Sequence, residues 1–439
     1  MTCLHLAAVA LSAAAAPHCD ATPKVVLAGS TTLVTLRVAG ALQSGAEYTV
    51  RVIPMEWKGD SSVAGPSTLQ VRCEEEALRF PWKFPAEQEY TVEVVSPDGK
   101  QRLATARLFA VGPDLFPLRP YKGDLHQHSN RSDGKEEPAY VAAFNRKIGM
   151  DFMALTDHRA YRPSLEAIEA FRGLPVDLQM YPGEEVHPPE TMVHIVHFGG
   201  RASVNERFDQ ADYKEAVKKL AASLRDLPPG VDPQAYAACL WTFAEIRRLG
   251  GLSIFCHPYW VTGNRYNVPE AFIARLFAQR PFDAYEVIGG FWLNESEANA
   301  LQVARYYYEA AAGRAVPVVG VSDGHGTARG LHGWYYTLVL ARSPQFADVR
   351  DAILAERSLG VEQLPGAPAP RAFGPFRLVK YASFLMREVM PAHDALCAEE
   401  GEAMLAHVAG DPGAANRLKT LQGRVQALYR RMWATEGPQ

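Results

Sequence analysis

Histidine and carboxylate side chains recur through the middle of the chain, and each group of them follows a short apolar segment. The segment GDLHQHSNRSDG, residues 123–134, places His126 and His128 one residue apart and Asp133 five residues later. Alternate residues of an extended segment point to the same side, so both imidazoles could reach one ion. The later groups, in FMALTDH, YPGEEV, MVHIVHFGG, IFCHP and VGVSDGHG, contain Asp157, His158, Glu184, Glu185, His194, His197, His257, Asp323 and His325.

Imidazole and carboxylate groups together suit borderline divalent cations such as zinc, manganese and iron. Each residue taken alone has an ordinary interpretation: His257 as a hydrogen-bonded structural histidine, and Asp157 as the cap of the next helix. The joint pattern is different, because successive apolar segments all end in side chains that bind metals. Burial of so many ionisable groups without an ion would be costly. The sequence therefore predicts a divalent metal centre.

The segments that carry these residues alternate between short apolar strands and helical stretches after Tyr121. This alternation indicates α/β architecture, in which the chemistry lies at the carboxyl ends of the strands. We expect a β/α barrel over residues 120–360, with a helical insertion at 200–250. Amphipathic patterns near 376–408 and 412–434 predict a C-terminal helical extension over 372–439, which packs on the barrel or supports a dimer.

Residues 23–113 have a different pattern, in which apolar and polar side chains alternate over short segments such as AEYTVRVIP and EQEYTVEVVS. A period of two is typical of half-buried strands, and several short strands at this spacing predict a small antiparallel β-sandwich. These segments contain no cluster of candidate catalytic or ligand-binding residues, so a role in bracing the neighbouring domain is favoured over partner binding. The segment GPDLFPLRPYKG, residues 112–123, predicts a linker.

Residues 1–21 resemble a secretory leader, because the apolar run LAAVALSAAAAP ends in small residues. The preceding MTCLH contains no lysine or arginine, which leaves a disordered alanine-rich tail and a cytoplasmic location as the alternative. We predict export, to the periplasm or the medium. The run is too short for a stable bilayer anchor, and no later segment is apolar enough to span a membrane.

The composition argues against several other classes of protein. The chain of 439 residues is 48% hydrophobic and 21% charged, as in soluble globular proteins, and its length predicts two or three domains. A net charge of −4 without a long basic run argues against a nucleic-acid partner. The six cysteines are scattered without a CxxC pair, which excludes a zinc knuckle and a dense disulfide framework.

In order and register, GDLHQHSNRSDG, FMALTDH, PGEEV, VHIVHFGG, FCHPYW and VGVSDGHG resemble the motifs of the PHP (polymerase and histidinol phosphatase) superfamily, over roughly residues 120–345. The resemblance implies a distorted (β/α)7 barrel that holds two or three divalent metal ions. The ligands it implies are His126, His128, Glu185 and Asp323 at one site, Glu185 with His194 and His257 at a second, and Asp133, His158 and His325 at a third. The family motif Gly-x-Glu selects Glu185 over Glu184, and the family pattern around the next histidine selects His194 over His197.

The layout also resembles an exported branch of the superfamily in which a sandwich precedes the barrel, and which includes carbaryl-hydrolase-like metallohydrolases. Arg159, directly after TDH, departs from the small polar residue that many relatives have. The resemblance therefore does not extend to any relative's substrate.

The implied chemistry is hydrolysis by a hydroxide that bridges two ions, because metal binding lowers the pKa of water to about 7. Glu185 and Asp323, as ligands, and His197, as a proton donor to the leaving group, are the candidate catalytic residues. A structural role in the strand is the alternative for His197. Asp124 and Asp157 are candidates for orienting the imidazoles through their free N–H groups.

The substrate is expected to be a small molecule, and the residues near the ligands suggest two classes. Arg131, Arg159 and Arg329 each lie within a few residues of a proposed ligand, and guanidinium groups suit phosphate oxygens, although surface solvation is their ordinary role. Tyr259 and Trp260 could line a pocket for an aromatic group, or simply pack at the barrel rim. A phosphoester is placed first and an aryl ester or carbamate second. A non-catalytic binding protein stabilised by metal is the third hypothesis.

Overall fold

The structure, a computed structural model, describes residues 19–57, 65–290, 295–327 and 332–435. The chain divides into two compact units, one formed by Met1–Phe116 with Arg430–Gln439 and the other by Pro117–Tyr429. Each unit has its own sheets and its own core.

The first unit is built on one continuous mixed sheet. Its strands are β1 (Cys19–Thr22), β2 (Val25–Leu27), β3 (Thr31–Val38), β4 (Glu47–Pro54), β5 (Ser67–Glu74), β6 (Ala77–Lys83), β7 (Gln88–Val95) and β8 (Arg102–Val111). They are hydrogen-bonded in the order β1-β3-β6-β5-β4-β7-β8-β2. Strand β5 joins the two halves of the sheet, because Ser67–Arg72 pair with β4 while Cys73 and Glu74 pair with β6.

Side-chain alternation sets the buried face of this sheet. On β4, Val50 and Val52 are buried while Arg51 between them is exposed, as the period of two predicts. The leader boundary requires a correction, because Cys19–Thr22 pair with β3 and Ala21 is fully buried. Residues 19–21 therefore belong to the sheet, and the remainder of the proposed leader lies outside the described residues.

The strands of the second unit form two larger sheets and one short hairpin. They are β9 (Arg119–Asp124), β10 (Phe152–Ala154), β11 (Gln179–Tyr181), β12 (Gly183–Val186), β13 (Ile195–Phe198), β14 (Leu252–Phe255), β15 (Val261–Thr262), β16 (Arg265–Tyr266), β17 (Ala284–Ile288), β18 (Val318–Gly320), β19 (Tyr335–Ala341), β20 (Ser358–Glu362) and β21 (Arg371–Phe373). One sheet has the order β11-β10-β9-β19-β20-β21, the other has the order β12-β13-β14-β17-β18, and β15 pairs with β16. Strands such as β14 and β17 are buried along their whole length, which is typical of strands covered on both faces.

The two larger sheets approach each other along two seams. At one seam, His158 forms a bridge with Glu185, and the amide of Arg159 donates to the carbonyl of Glu185 at 2.9 Å. At the other, the Thr337 hydroxyl donates to the carbonyl of Gly320 at 2.7 Å. The ends of β9, β10, β12, β14 and β18 therefore face a common space.

Helices surround these sheets. They are α1 (Pro138–Lys147), α2 (Arg162–Ala170), α3 (Ala211–Ser223), α4 (Pro233–Arg248), α5 (Glu270–Gln279), α6 (Ser296–Ala311), α7 (Phe346–Leu354), α8 (Phe376–Glu388), α9 (Met390–Val408), α10 (Ala414–Leu421) and α11 (Arg424–Met432). The ends of helix α4 carry residues that favour helix termini. The Asp232 carboxylate accepts from the Ala235 amide at 2.8 Å, Pro233 begins the helix, and two arginines lie in its last turn. None of the helices in the described ranges combines the length and apolar character that a bilayer crossing requires.

The predicted α/β class is confirmed at the level of mixed sheets and helices in one chain. Several neighbouring strands of the second unit are antiparallel, including β12 with β13 and β19 with β20. The strands are hydrogen-bonded as separate sheets of six and five, so closure into a seven-stranded barrel stays a prediction.

A buried ionic network holds α9 against α1. The guanidinium of Arg146 is fully buried and donates to Glu400 at 2.8 Å and to Asp151 at 3.0 Å. His393, also fully buried, lies 2.9 Å from the same Asp151 carboxylate. Because these charges have been removed from water, each depends on its partner.

The network predicts unequal costs for removing two glutamates of α9. Glu400→Ala leaves Arg146 buried without its main partner and should lower the free energy of unfolding by about 3–5 kcal/mol. Glu402→Ala removes a pair with Lys147 whose side chains are 60% and 38% exposed, and should cost less than about 1 kcal/mol. Urea unfolding of both variants tests the difference, and equal midpoints would contradict it.

Candidate metal centre

Glu185 is the hub of a buried cluster of imidazoles. It lies on β12 and is fully excluded from solvent. Strand pairing places Glu185 opposite Val196 and Glu184 opposite His197. Because successive side chains of a strand point to opposite faces, the side chains of the two adjacent glutamates lie on opposite faces of the sheet.

The two carboxylate oxygens of Glu185 face different histidines. Oε1 lies 2.8 Å from His194 Nδ1 and 3.5 Å from His257 Nε2. Oε2 lies 2.5 Å from His158 Nδ1, 3.5 Å from His126 Nε2 and 3.6 Å from His128 Nε2. One carboxylate thus lies between two sets of nitrogen donors.

Asp323 is the second carboxylate of the cluster, after β18. Its Oδ1 lies 2.8 Å from His128 Nε2 and 3.3 Å from His126 Nε2, and its Oδ2 lies 4.0 Å from His257 Nε2. Asp323 has a φ of 46°, and Arg159 a φ of 56°. Non-glycine residues in this left-handed region are uncommon and occur at functional sites where the surroundings hold them.

Asp133 contributes a third carboxylate, at the outer side of the cluster. Its oxygens lie 3.3 Å from His325 Nε2, 3.4 Å from His158 Nε2 and 3.9 Å from His128 Nδ1. The Asp133 side chain is 55% exposed, whereas His128 is fully buried. This part of the cluster is therefore the one that solvent reaches.

The structure brings all the sequence-predicted metal ligands into this one cluster. Its donor atoms fall into overlapping groups within 4.8 Å of one another: His128, Asp133, His158 and His325; His126, His128 and Glu185; His126, Cys256, His257 and Glu286; and His158, Glu185 and His187. Residues nearly 200 positions apart in the chain, such as His126 and Asp323, are thus in contact.

The donor set fits divalent cations. Buried polar atoms in proteins are normally hydrogen-bonded. Several atoms of this cluster have no hydrogen-bond partner although they are buried, among them both ring nitrogens of His126, both oxygens of Glu185 and Nδ1 of His194. Nitrogen and oxygen atoms left in this way suit zinc, manganese or iron ligation.

The electrostatics point the same way. Burial by itself would raise the pKa of Glu185, but the charges of His126 and His194 hold it well below its usual range. Burial would lower the pKa of His158, but the neighbouring carboxylates of Asp133 and Glu185 outweigh burial and raise it to about 10. The carboxylates are thus ionised and need compensating positive charge, which protons on the imidazoles or divalent cations can supply.

Comparison with known proteins gives one curated relative and several similar folds. No protein-family model matches the chain. The DNA polymerase/3'-5' exonuclease PolX of Bacillus subtilis is 30% identical over 93 residues, which are 20% of this chain and 16% of that protein. The match therefore spans only a small part of the curated relative.

Similar solved structures share limited identity with the chain. A two-domain protein from Bacteroides vulgatus, described as containing a PHP-like metal-dependent phosphoesterase, is 17% identical over 56% of this chain and 66% of its own, with a TM-score of 0.40. A protein from Bifidobacterium adolescentis described as a metal-dependent phosphoesterase is 20% identical over 46% of this chain and 87% of its own, with a TM-score of 0.33. An amidohydrolase from Chromobacterium violaceum is 19% identical over 47% and 88%, with a TM-score of 0.28.

His197 lies apart from the cluster around Glu185, which corrects its assignment as a proton donor. Its Nδ1 lies 3.2 Å from Glu184, and the Ser203 hydroxyl donates to the same carboxylate at 2.7 Å. A side chain at Gly200 or Gly251 would collide with the ring, at 2.0 and 2.5 Å from Nε2. The imidazole is thus packed between backbone segments, as expected of a structural histidine.

Asp124 and Asp157 also have roles other than the predicted orientation of imidazoles. The Asp124 carboxylate accepts from the amides of His126 at 3.3 Å and Ser322 at 3.1 Å, and so ties together two loops that carry ligands. The Asp157 carboxylate accepts from the hydroxyls of Ser129 and Ser132. Both aspartates fix backbone segments and do not contact the ligand rings by hydrogen bonds.

Sequence reasoning missed two residues of the cluster around Glu185. His187 Nε2 lies 3.0 Å from His158 Nδ1, and its ring stacks on that of His194 at 4.0 Å. Glu286 Oε2 lies 3.5 Å from His126 Nδ1. A histidine two residues after the Gly-x-Glu motif, and a glutamate inside the apolar strand AYEVI, were the available signals.

The predicted substrate residues lie in different surroundings. Arg131 pairs with Glu137 and Glu166, at 2.8 Å each. Arg159 is exposed and directly follows His158. Trp260 stacks on the His257 ring at 4.4 Å, the Tyr259 hydroxyl donates to Glu270 at 3.1 Å, and Arg329 lies outside the described residues.

Two fully buried histidines of the second unit should differ in their effect on metal binding. His128→Ala removes a nitrogen that faces Glu185 and Asp323, and should reduce the zinc bound per chain. His197→Ala should lower the free energy of unfolding by about 1–3 kcal/mol and leave the zinc content unchanged.

Plasma mass spectrometry of the purified variants after zinc loading measures the first quantity, and thermal unfolding measures the second. Equal loss of zinc from the two variants would contradict the separation of His197 from the centre.

Proposed function

We propose that the chain is a metal-dependent hydrolase that cleaves a phosphoester bond in a small substrate. The observation that carries this proposal is the convergence of imidazoles and ionised carboxylates on Glu185, with buried donor atoms that lack hydrogen bonds. Such a centre holds two or three divalent ions in the proposal. Zinc, manganese and iron all suit its mixture of nitrogen and oxygen donors.

The residues that would hold the ions divide around Glu185. One set consists of His126, His128, Glu185 and Asp323, and a second of Glu185, His194 and His257. The opposite orientation of the two Glu185 oxygens supports a bridging role for this carboxylate. Asp133, His158 and His325 form the outer set, which solvent reaches.

Divalent ions in such a centre lower the pKa of water to about 7 and stabilise negative charge on oxygen. The protein's own residues hold the proposed ligands in place. Asp124 and Asp157 hold the ligand-bearing loops, and the seam between β10 and β12 fixes Glu185 beside His158. Because His197 is packed away from the cluster, we assign it no part in proton transfer.

Of the two candidate arginines that the structure describes, Arg159 is the better placed for a substrate phosphate. Its side chain is exposed, and its backbone amide donates to the carbonyl of Glu185 at 2.9 Å. The backbone of Arg159 is therefore fixed beside the centre. Arg131, by contrast, is already neutralised by two carboxylates. A guanidinium binds phosphate oxygens through paired hydrogen bonds, which favours a phosphoester.

One observation favours an aryl ester or carbamate as the second candidate substrate. The Trp260 ring stacks on His257, so an aromatic surface lies directly beside a proposed ligand. Such a surface would suit the aryl group of an ester as well as that of an aryl phosphate.

A substrate panel separates these possibilities. The zinc- or manganese-loaded protein should hydrolyse p-nitrophenyl phosphate or bis(p-nitrophenyl) phosphate faster than p-nitrophenyl acetate, measured by nitrophenolate release. Asp323→Asn should lower kcat by about two orders of magnitude or more, because it removes a charged donor of the centre.

Glu402→Ala is the control. It removes only the exposed pair with Lys147 and should retain the parent rate. Hydrolysis of the acetate alone would replace the phosphoester by the aryl ester, and metal binding without any hydrolysis would favour the non-catalytic hypothesis.

Arg159→Ala and Arg131→Ala test the recognition of phosphate. Loss of a charged hydrogen bond is worth about 1.5–3 kcal/mol, so Arg159→Ala should lower kcat/KM for the phosphate substrate by about 10- to 100-fold. Arg131→Ala should have a much smaller effect, because its guanidinium is paired with Glu137 and Glu166. A larger loss for Arg131→Ala than for Arg159→Ala would reverse the assignment.

A further inference from the structure

Glu286 is a buried acid in the interior of a strand. It lies on β17, all of whose residues are buried, and its side chain is fully excluded from solvent. The pairing of β17 with β18 shifts in register between Glu286 and Ile288. Irregularities of this kind re-aim side chains and are common beside active sites.

The carboxylate of Glu286 has no hydrogen-bond partner in the described part of the chain. Both of its oxygens are buried and without such a bond. The space around them is kept by Gly289, where a Cβ atom would lie 2.3 Å from Oε1. Asn299 holds this glycine by accepting from its amide at 2.8 Å and donating to its carbonyl at 2.9 Å. Because burial of an unpaired carboxylate is costly, the retained space and the acid point to an interaction within the cluster.

Glu286 lies beside a proposed metal ligand. His126 Nδ1 lies 3.5 Å from Glu286 Oε2. The other ring nitrogen, Nε2, faces Asp323 at 3.3 Å and Glu185 at 3.5 Å. The imidazole thus has one nitrogen directed at the centre and the other at Glu286. Histidines that bind metals through one nitrogen commonly donate the other N–H to a carboxylate.

The Cys256 thiol, which also lies near His126, already has backbone partners. It accepts from the Val196 amide at 3.3 Å and donates to the Ile254 carbonyl at 3.4 Å. Glu286, by contrast, has two carboxylate oxygens without a hydrogen bond, and Oε2 is the one that can accept an Nδ1–H of His126.

We propose that Glu286 is a positioning residue of the metal centre. Its carboxylate accepts the Nδ1–H of His126, fixes the tautomer and the plane of that ring, and directs Nε2 at the ion. The inference rests on the proposed metal centre and adds to it a residue that donates nothing to the ion itself. It predicts that loss of Glu286 weakens metal binding without loss of a binding site.

Zinc affinity, measured by competition with a chromophoric chelator on the full chain, tests the proposal. Glu286→Ala should weaken zinc binding by about 10- to 100-fold at unchanged stoichiometry. Glu286→Gln should restore part of this loss, because its amide oxygen still accepts from Nδ1–H. Glu400→Gln, which alters another buried carboxylate in the Arg146 network, is the control and should bind zinc with the parent affinity.

Thermal unfolding in the presence of a chelator gives a second, independent measurement. The chelated Glu286→Ala protein should stay folded at the temperature of the zinc titration, so that its weaker binding reflects the lost acceptor of His126. A variant that is unfolded at that temperature would make Glu286 a structural residue.

Three outcomes would overturn the proposal. Equal zinc affinity of the parent and Glu286→Ala proteins would remove the role of Glu286 while the metal centre stands. Loss of one bound ion per chain would make Glu286 a ligand instead of a positioning residue. Failure of the parent protein to bind zinc would refute the proposed centre, and this inference with it.

Discussion

The buried carboxylate of Glu185 imposes the main constraint on the second unit. A charge excluded from water must be compensated, and here nitrogen atoms from several strand ends surround it. His126 and His128 follow β9 and His158 follows β10 in one sheet, while His194, His257 and Asp323 adjoin β13, β14 and β18 in the other. Both sheets must therefore meet at this residue for its charge to be balanced.

The surrounding structure keeps this arrangement fixed. Asp124 ties the loop of His126 to the loop after β18 through two amide hydrogen bonds. Away from the centre, Arg146 and His393 attach α9 to α1 and to the start of β10 through Asp151 and Glu400. The C-terminal helices thus brace the element that presents His158, which gives the sequence-predicted extension a mechanical role within this unit.

The sequence predicted the position of the cluster better than the pairing of the strands. Polar residues after apolar segments mark strand ends wherever the strands pair, so His126, Glu185, His257 and Asp323 could be found without knowing the sheets. The antiparallel pairing of β12 with β13 could not be predicted, because alternation does not reveal the partner of a strand. That pairing decides the side chains opposite each other, and it explains why Glu184 and His197 form a separate pair.

Glu286 was missed for a related reason, since an acid inside an apolar strand carries no signal of its own until its neighbours are known.

The contributions of both sheets to the cluster also determine when it can form during synthesis. His126 and Asp323 are nearly 200 residues apart, so most of the second unit must be synthesised before the complete set of donors exists. The proposed metal centre would then take its ion from the cations present where folding finishes, so the cell compartment in which maturation ends would govern which element it carries.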